Sequence, residues 1–213
     1  MSTSADSSDV FEMPVFPLGS VLFPGGLLPL HIFEARYQQL LNQALETDRR
    51  FGVVLISRGS EVGGGEIRTD IGTVAYIDQY QRFDDGRSAV VSHGTTRFPV
   101  VQWLDDDPYP RAMVQEFGQE PEGRNDRDLL RSARDTFTAV IDLGQRLGRL
   151  DSAPEANWLT DIDDASWQLA DRSPCAALDR YTILAAPTRG ERLGRIDELL
   201  QEVYADLELM GGM

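Results

Sequence analysis

Lysine is absent from this 213-residue chain, and all 20 of its basic residues are arginines. A lysine is required for a Schiff base, for a lysine general base and for the phosphate-binding loop of many nucleotide hydrolases. A catalytic pair of serine and lysine needs one as well. The sequence therefore excludes all four kinds of site.

Cysteine is nearly absent, since Cys175 is the single thiol and no internal disulfide can form. We therefore expect a reducing compartment, the cytoplasm. The first ten residues, MSTSADSSDV, show neither the basic start nor the apolar stretch of a secretory signal. The longest apolar stretch, from Leu22 to Ile32, is interrupted by prolines and glycines and falls short of the about 20 residues of a membrane span.

Basic charge is scarce relative to acidic charge, with 20 arginines against 35 aspartates and glutamates, for a net charge of -15. Such a surface repels the phosphate backbone of nucleic acids and the headgroups of anionic membranes. We therefore expect neither a nucleic acid nor a membrane as the partner, and we interpret the charge as a source of solubility.

Recognisable catalytic motifs are also missing. No Gly-x-Ser-x-Gly nucleophile turn occurs, and the two histidines, His31 and His93, lack the spacing of metal ligands. We therefore expect no catalytic residue, no metal and no cofactor.

Two weaker candidates each have a simpler interpretation that we favour. Cys175 lies near a predicted helix start, where a thiol can become reactive, but a small buried apolar side chain is the commoner case. Asp161, Asp163 and Asp164 could hold a cation, although a solvated helix face explains them more simply.

His31 lies in an apolar context close to Glu34 and Arg36. It could contact a ligand in a cleft, or it could be held by hydrogen bonds where a strand meets a helix. We favour the second interpretation, because polar groups at such junctions are usually paired.

The first half of the chain is predicted to be rich in short strands around one helix. The helix carries an apolar stripe from Tyr37 to Leu45, and Asp84-Asp85-Gly86 is a hairpin turn signal. The predicted strands are Met13–Leu18, Phe51–Ile56, Ile71–Tyr80, Ala89–Ser92, Phe98–Trp103 and Tyr109–Phe117. Short strands at close spacing favour a small barrel or a sandwich.

The second half changes to helical periodicity after a polar stretch. Four apolar stripes predict helices around Leu130–Leu147, Trp158–Leu169, Leu178–Ala185 and Leu193–Met210. Ser173 is predicted to cap the third helix, and Thr188 with Glu191 forms a capping box for the last. The narrow stripes predict that the helices pack on one another.

The run MPVFPLGSVLFPGGLLPLHIFEARYQQLL, from Met13 to Leu41, resembles the start of the substrate-binding N-terminal domain of Lon proteases. Further agreement occurs at Phe51–Val54, Ile71–Ala75 and Asp85–Arg87, and Gly94–Phe98 resembles the family's Gly-x-x-Arg-Phe strand. The resemblance covers roughly residues 12 to 209 and is weakest in the helical half.

The resemblance implies an α+β fold in which a PUA-like β pseudobarrel is followed by a C-terminal helical bundle. We assign residues 1–11 to a disordered tail, 12–118 to the barrel, 119–127 to a linker and 128–213 to the bundle. In full-length Lon an ATPase and a protease domain follow this module, so the chain resembles a stand-alone version without catalytic residues.

The resemblance further implies a module that binds unfolded or tagged protein segments and could act as an adaptor or regulator for a separate ATP-dependent protease. The candidate binding residues are Phe23, Leu28, His31, Phe33, Arg36 and Tyr37. Other interpretations stay open at this stage, since Phe16, Phe23 and Phe33 fit a core better than a ligand contact, and Arg36 fits a pair with a carboxylate or carbonyl.

Two other functions remain as alternatives. PUA-like barrels also occur in RNA-binding proteins, although the net charge of -15 disfavours RNA. A hydrolase would need a constellation of His31, Arg36 and a carboxylate in a deep pocket. The oligomeric state is not predicted.

Overall fold

A computed structural model describes residues 9–58, 66–118, 120–150 and 157–211 of the chain. It divides the chain into two compact units, Met1–Gln119 and Glu120–Met213. The first unit holds β1 Phe11–Leu18, β2 Leu27–Ile32, α1 Ala35–Glu46, β3 Arg50–Arg58, β4 Ile67–Arg82, β5 Ser88–Trp103 and β6 Arg111–Val114. The second holds α2 Asp126–Arg146, α3 Ile162–Arg172, α4 Ala177–Ala185 and α5 Arg189–Gly211. The predicted α+β class is confirmed.

The strands of the first unit close into a barrel. Their order is β2-β5-β4-β3-β1-β6, and β6 also pairs with β5. Strands β5, β4, β3, β1 and β6 therefore form a ring, to which β2 is added on β5. Closure pairs the backbone polar groups that an open sheet would leave at its edges.

Alternation along the strands divides the apolar residues of this unit between two clusters. Met13 and Val15 of β1 belong to the smaller cluster, which draws on all five ring strands and therefore fills the ring. Phe16 and Leu18 point the other way, into a larger cluster with Leu40 of α1. Because side chains alternate along β1, one set fills the barrel interior and the other packs against α1.

Phe98 fills the barrel interior because two glycines leave space for its ring. A β-carbon at Gly52 would lie 2.7 Å from Phe98 Cζ, and one at Gly72 would lie 2.6 Å from the same atom. Such distances are too short for real carbon contacts, so both positions require glycine, and at Gly72 the β-carbon would also lie 2.5 Å from the carbonyl oxygen of Val53.

The segment between β1 and β2 is seated on the sheet at Gly94. The amide of Gly25 donates to Gly94 O, and the amide of Gly94 donates to Gly26 O, both at 2.9 Å. Thr73 Oγ1 donates to Leu22 O at 2.6 Å. A β-carbon at Gly94 would overlap the carbonyl oxygen of Phe23.

Two strand predictions need correction. The pattern predicts separate strands at Ala89–Ser92 and Phe98–Trp103, but β5 runs through both, with register shifts that absorb its bends. Strand β2 is absent from the predicted strands. It pairs with β5 despite Pro29, which lies in an edge strand where a missing amide is tolerated.

The chain ends and the linker also differ in detail from the predicted ranges. Residues 1–8 of the predicted tail lie outside the described residues, while Phe11 belongs to β1 and pairs with Val114. Within the predicted linker, residue 119 lies outside the described residues and α2 already begins at Asp126.

The helices of the second unit follow the predicted stripes, except that α3 begins at Ile162 and leaves Trp158 of the second stripe before it, and one predicted cap is wrong. The amide of Glu191 donates to Thr188 Oγ1 at 3.2 Å, as the capping box requires. Ser173 instead ends α3, where its hydroxyl donates to Leu169 O at 2.7 Å, and Ala176 precedes α4. Within the described residues, no helix is long and apolar enough to cross a bilayer.

Two arginines of α5 are buried inside the helical unit. Arg192 is fully buried and lies with its guanidinium carbon 3.6 Å from the centroid of the Trp167 ring. Its Nη2 donates to Asp163 Oδ1 at 2.6 Å, and its Nε donates to Ser166 Oγ at 3.1 Å. The guanidinium thus joins α5 to α3 by stacking one face on Trp167 and by hydrogen bonds from its edges.

Arg189 extends this network toward α2. Its Nη1 donates to the buried carboxylate of Asp126 at 3.2 Å, and its Nε donates to Asp163 Oδ1 at the same distance. Its third N–H-bearing nitrogen, Nη2, donates to the carbonyl of Glu120 at 3.1 Å. Burial disfavours the charge, but these partners outweigh it and raise the pKa of Arg189.

We expect the Arg192→Ala substitution to lower the free energy of unfolding by about 3 kcal/mol, because it leaves the partners of a buried cation uncompensated. This loss lies at the lower end of the range for broken buried ion pairs, because Asp163 is partly exposed and can be hydrated. Urea unfolding monitored by circular dichroism measures the difference. Arg195→Ala on the same helix removes a more exposed pair with Glu198 and should cost less than about 1 kcal/mol. Equal losses for the two variants would contradict the assignment.

Candidate functional site

The first unit carries an open groove between the end of β2 and the turn that joins β4 to β5. Its volume is about 470 Å³. We call it the barrel groove, and its lining residues are His31, Ile32, Phe33, Phe83, Asp84, Asp85 and Arg87.

Both walls of the barrel groove are anchored to the same end of β5. On one side, His31 and Ile32 lie opposite Ala89 and Ser88 in the antiparallel pairing of β2 with β5. On the other side, the amide of Phe83 donates to the carbonyl of Arg87 at 2.9 Å and closes the turn. Backbone pairing therefore positions both walls of the groove.

The turn itself follows from Asp84-Asp85-Gly86. Gly86 has a φ of 85°, in the left-handed region that favours glycine. Asp85 Oδ1 accepts from the amide of Arg87 at 3.0 Å, which adds a side-chain bond to the turn. The hairpin prediction is confirmed, and its tip forms one side of the groove.

Two phenylalanine side chains are exposed at the barrel groove. Phe33 is 61% exposed and Phe83 is 37% exposed. Ile32, between them and the core, is buried. Large apolar side chains that line one concave surface are typical of a contact surface rather than of a core.

The polar side of the groove is an ion pair. Arg87 Nε donates to Asp85 Oδ2 at 2.7 Å. The side-chain and backbone hydrogen bonds from Arg87 lower the pKa of the Asp85 carboxyl, and Asp85 raises the pKa of Arg87. Both groups are therefore charged at neutral pH, and together they add no net charge to the groove.

His31 is exposed and lines the barrel groove. The junction of strand and helix is held by Gln38, whose Nε2 donates to Ile32 O at 2.7 Å. The hydroxyl of Ser88 in turn donates to Gln38 Oε1 at 2.9 Å. The structure shows no hydrogen bond from the His31 side chain to another described residue, so it does not support the favoured interpretation of His31 as a residue held there by hydrogen bonds.

Three of the six candidate binding residues lie in the core. Phe23, Leu28 and Tyr37 are all buried. Burial raises the pKa of Tyr37 to about 12, so its phenol stays neutral. These side chains offer little surface to a ligand, whereas Phe33, which was expected to fit a core, is exposed.

Arg36 is held by its own neighbours. Its Nε donates to Glu34 Oε2 at 3.0 Å, which confirms the expected pair with a carboxylate. Its guanidinium carbon lies 4.5 Å from the centroid of the Tyr37 ring. Of the predicted set, the structure therefore brings His31 and Phe33 together in the groove and leaves Arg36 outside its lining.

The groove residues of the hairpin were not predicted as part of a site. Phe83 and Arg87 lie about fifty positions after His31 in the chain, and strand pairing brings them to one place. The sequence signal for this side of the groove was Phe83, an aromatic residue directly before a turn, where burial in a core is rare. It does not identify the residues of β2 that form the opposite wall.

Within the part of the chain that the structure describes, the histidine at the surface of β5 pairs with an aspartate as a catalytic histidine would. His93 Nδ1 lies 2.8 Å from Asp78 Oδ2, and the His93 ring packs 5.7 Å from that of Tyr76. These residues lie on the exposed side of the sheet and do not line the groove. They do not provide the deep pocket around His31 and Arg36 that a hydrolase would need.

The aspartates near α3 serve the helix and the buried arginines. Asp161 Oδ1 accepts from the amides of Asp163 and Asp164 at 2.9 and 3.1 Å and so caps the helix. The carboxylate of Asp163 is bound by Arg189 and Arg192. Among the residues that the structure describes, no group of three His, Cys, Asp or Glu side chains is placed to hold a metal ion.

The model of the family described as "ATP-dependent protease La (LON) substrate-binding domain" matches residues 12–202. A Lon N-terminal domain protein from Xanthomonas campestris has a similar crystal structure, with a TM-score of 0.62 and 26% identity, over 87% of this chain and 96% of that one. The N-terminal domain of a Mycobacterium avium complex Lon protease has the same TM-score at 17% identity, over 90% and 99% of the two chains, which shows the fold alone.

A curated relative extends well beyond the matched region. Lon protease 2 of Herpetosiphon aurantiacus is 26% identical over 209 residues, which is 95% of this chain and 25% of that protein. This chain thus spans about a quarter of the length of that relative.

We expect the Cys175 thiol to react slowly with iodoacetamide near neutral pH. Burial raises the pKa of this thiol, so a smaller fraction is present as the reactive thiolate. Alkylation followed by mass spectrometry measures the rate, and the same chain unfolded in guanidinium chloride is the control. A native rate above the unfolded rate would contradict this assignment and revive Cys175 as a nucleophile.

Proposed function

Because this chain belongs to the family of Lon substrate-binding domains, we propose that it is a non-catalytic module that holds apolar segments of other polypeptides in the barrel groove. The observation that carries the proposal is the exposure of Phe33 and Phe83 in one concave surface. The segments would come from unfolded or tagged proteins, in which apolar side chains are accessible.

The dimensions of the barrel groove suit one or two side chains of an extended segment. Its volume of about 470 Å³ lies within the range of about 300–1,000 Å³ for small ligand sites. Burial of an aromatic side chain contributes about 1.5–3 kcal/mol, part of which is lost to ordering of the partner. Such a site binds weakly and releases readily, as capture of many different segments requires.

The polar groups around the groove support the same function. Asp85 and Arg87 neutralise each other, so the charge that remains in the lining is the Asp84 carboxylate, which disfavours anionic clients. His31 adds ring surface and two nitrogen atoms that can bond to the backbone of an extended chain. The main selection is therefore for apolar side chains.

The proposal extends to an adaptor role, in which a client held in the groove is transferred to a separate ATP-dependent protease in the same cytoplasmic compartment. Its support is family membership together with the composition, since a chain without lysine has no phosphate-binding loop lysine of its own. RNA remains the weaker partner because of the net charge of -15.

We expect Phe33→Ser and Phe83→Ser each to weaken binding of an apolar peptide about tenfold, because each removes roughly one aromatic contact. Fluorescence anisotropy with a dye-labelled peptide rich in leucine and phenylalanine measures the dissociation constant. Both residues are exposed, so unfolding curves should change little.

The matched control is Val101→Ser, which alters an exposed apolar residue at the opposite end of β5. It should leave the dissociation constant unchanged. If all three variants bind like the unmodified chain, or all three weaken equally, the barrel groove is not the binding site.

We expect the purified chain to leave labelled casein intact with or without ATP. When the chain is used as bait in cell extract, we expect both apolar client peptides and an ATP-dependent protease to be recovered with it. Peptide release assays and mass spectrometry of the recovered proteins measure the two outcomes. The Phe33→Ser/Phe83→Ser double variant should lose the clients and keep the protease. Turnover by the chain alone would contradict the non-catalytic assignment, and recovery of clients without a protease would contradict the adaptor role.

A further inference from the structure

Strand β2 is an edge strand of the barrel unit. It pairs with β5 on one side, and no other strand of the described residues lies on its outer side. Proteins usually protect such an edge with charged side chains, with proline or with a covering element, because its unpaired amides and carbonyls invite another strand. The sequence of β2, LLPLHI, contains no arginine, aspartate or glutamate. Among its own residues, Pro29 alone offers such protection.

The pairing with β5 shows which backbone groups of β2 face outward. The amide of Gly94 donates to the carbonyl of Gly26 at 2.9 Å, which sets the start of this antiparallel ladder. Hydrogen-bonded pairs recur at every second residue of such a ladder, so the even-numbered residues of β2 bond to β5. The backbone groups of the odd-numbered residues therefore point away from β5. These residues are Leu27, Pro29 and His31.

The outward groups form a template for one additional strand. Leu27 and His31 each present an amide and a carbonyl, whereas Pro29 presents only a carbonyl because proline has no amide hydrogen. All three residues are exposed, Leu27 to 68%. An extended segment can thus pair with both ends of the edge, and it lacks one hydrogen bond in the middle.

The same edge leads into the barrel groove. His31 is the last of the outward residues, and it also lines the groove. Phe33 follows two positions later and is 61% exposed. A segment that pairs with β2 therefore ends beside the groove, where its next side chains meet Phe33 and Phe83. Backbone pairing and side-chain capture can act on one continuous segment.

A second copy of the protein is a poor occupant of this edge. If two β2 strands pair antiparallel about Pro29, the two prolines lie opposite each other and neither donates, so both central hydrogen bonds are lost. A segment with its own amide opposite Pro29 loses only one of them. The net charge of -15 further opposes the approach of two copies. A separate segment of low charge is therefore the better occupant.

We propose that β2 binds client segments by strand addition. An extended apolar segment pairs its backbone with the outward groups of Leu27, Pro29 and His31, and it places a following side chain in the barrel groove. This inference rests on the proposed function and deepens it by specifying the conformation of the bound client. Backbone pairing supplies affinity that depends little on client sequence, while the groove selects apolar side chains. A helical segment is not bound in this way, because its amides are already paired within the helix.

The first test uses a short dye-labelled peptide rich in valine, leucine and phenylalanine, and two versions of it that carry N-methyl groups on alternate amides. One version is methylated at odd positions and the other at even positions. Only one edge of an extended segment faces β2, so one version should bind at least about tenfold more weakly while the other binds like the unmodified peptide. Fluorescence anisotropy measures the three dissociation constants. Equal affinity of the two methylated peptides would overturn the proposal.

The second test changes the number of outward amides in opposite directions. Pro29→Val adds an outward amide and should tighten binding of the unmodified peptide about fivefold, whereas Leu27→Pro removes one and should weaken binding about fivefold. Proline is tolerated in edge strands, and unfolding curves check that each variant folds. Leu27→Val keeps the amide and is the matched control, which should bind like the unmodified chain. If Pro29→Val gives no gain in affinity, the outer edge of β2 is not the site of pairing.

The outcomes separate this proposal from the proposed function. Absence of binding of every peptide to the unmodified chain would contradict both. Binding that depends on Phe33 and Phe83 but not on peptide methylation or on Pro29→Val would overturn strand addition alone. Analytical ultracentrifugation measures the oligomeric state, and a dimer of the unmodified chain that Leu27→Pro dissociates would assign the edge to a second copy and overturn the proposal.

Discussion

The close contact between Gly94 and the chain from Phe23 to Gly26 is the constraint on which the first unit depends. Two backbone hydrogen bonds tie these segments together, and no side chain can be accommodated at Gly94. The contact delivers the chain to β2 in register with the first half of β5, while the second half of β5 pairs with β6 and closes the barrel. Because Gly94 allows this contact, β5 can take part in the ring of strands and also anchor both walls of the barrel groove.

The sequence predicted the fold wherever one periodicity dominated. Helices α1, α2 and α5 follow their apolar stripes, and the resemblance of residues 13–41 supplied the barrel. The failures have physical causes. Gly94 and Pro99 resemble strand breakers although β5 bends through them, and Pro29 conceals an edge strand because sequence patterns do not show which amides face a neighbour. Ser173 could cap either of two helices, and only packing decides between them.

The site was less predictable, because its residues come together through pairing of distant segments. His31 and Phe33 were found from a family motif, while Phe83 and Arg87 depended on the register between β2 and β5. The positions of the arginines were also not predictable from the sequence. Composition favours surface positions for every arginine, yet Arg192 is fully buried with partners and Arg134 is partly buried with two unsatisfied donors. Charge counts describe the protein's long-range field, whereas local burial determines what each cation does.

The exposed rings of Phe33 and Phe83 would by themselves make copies of this protein adhere to one another. The net charge of -15 opposes that tendency, because like-charged molecules repel before short-range apolar contact can form. This repulsion acts over about 8–10 Å in physiological electrolyte, and an uncharged or flexible guest chain is not subject to it. Under the proposed function, the acidic composition would keep the barrel groove open to guest chains by opposing contact between copies of the protein.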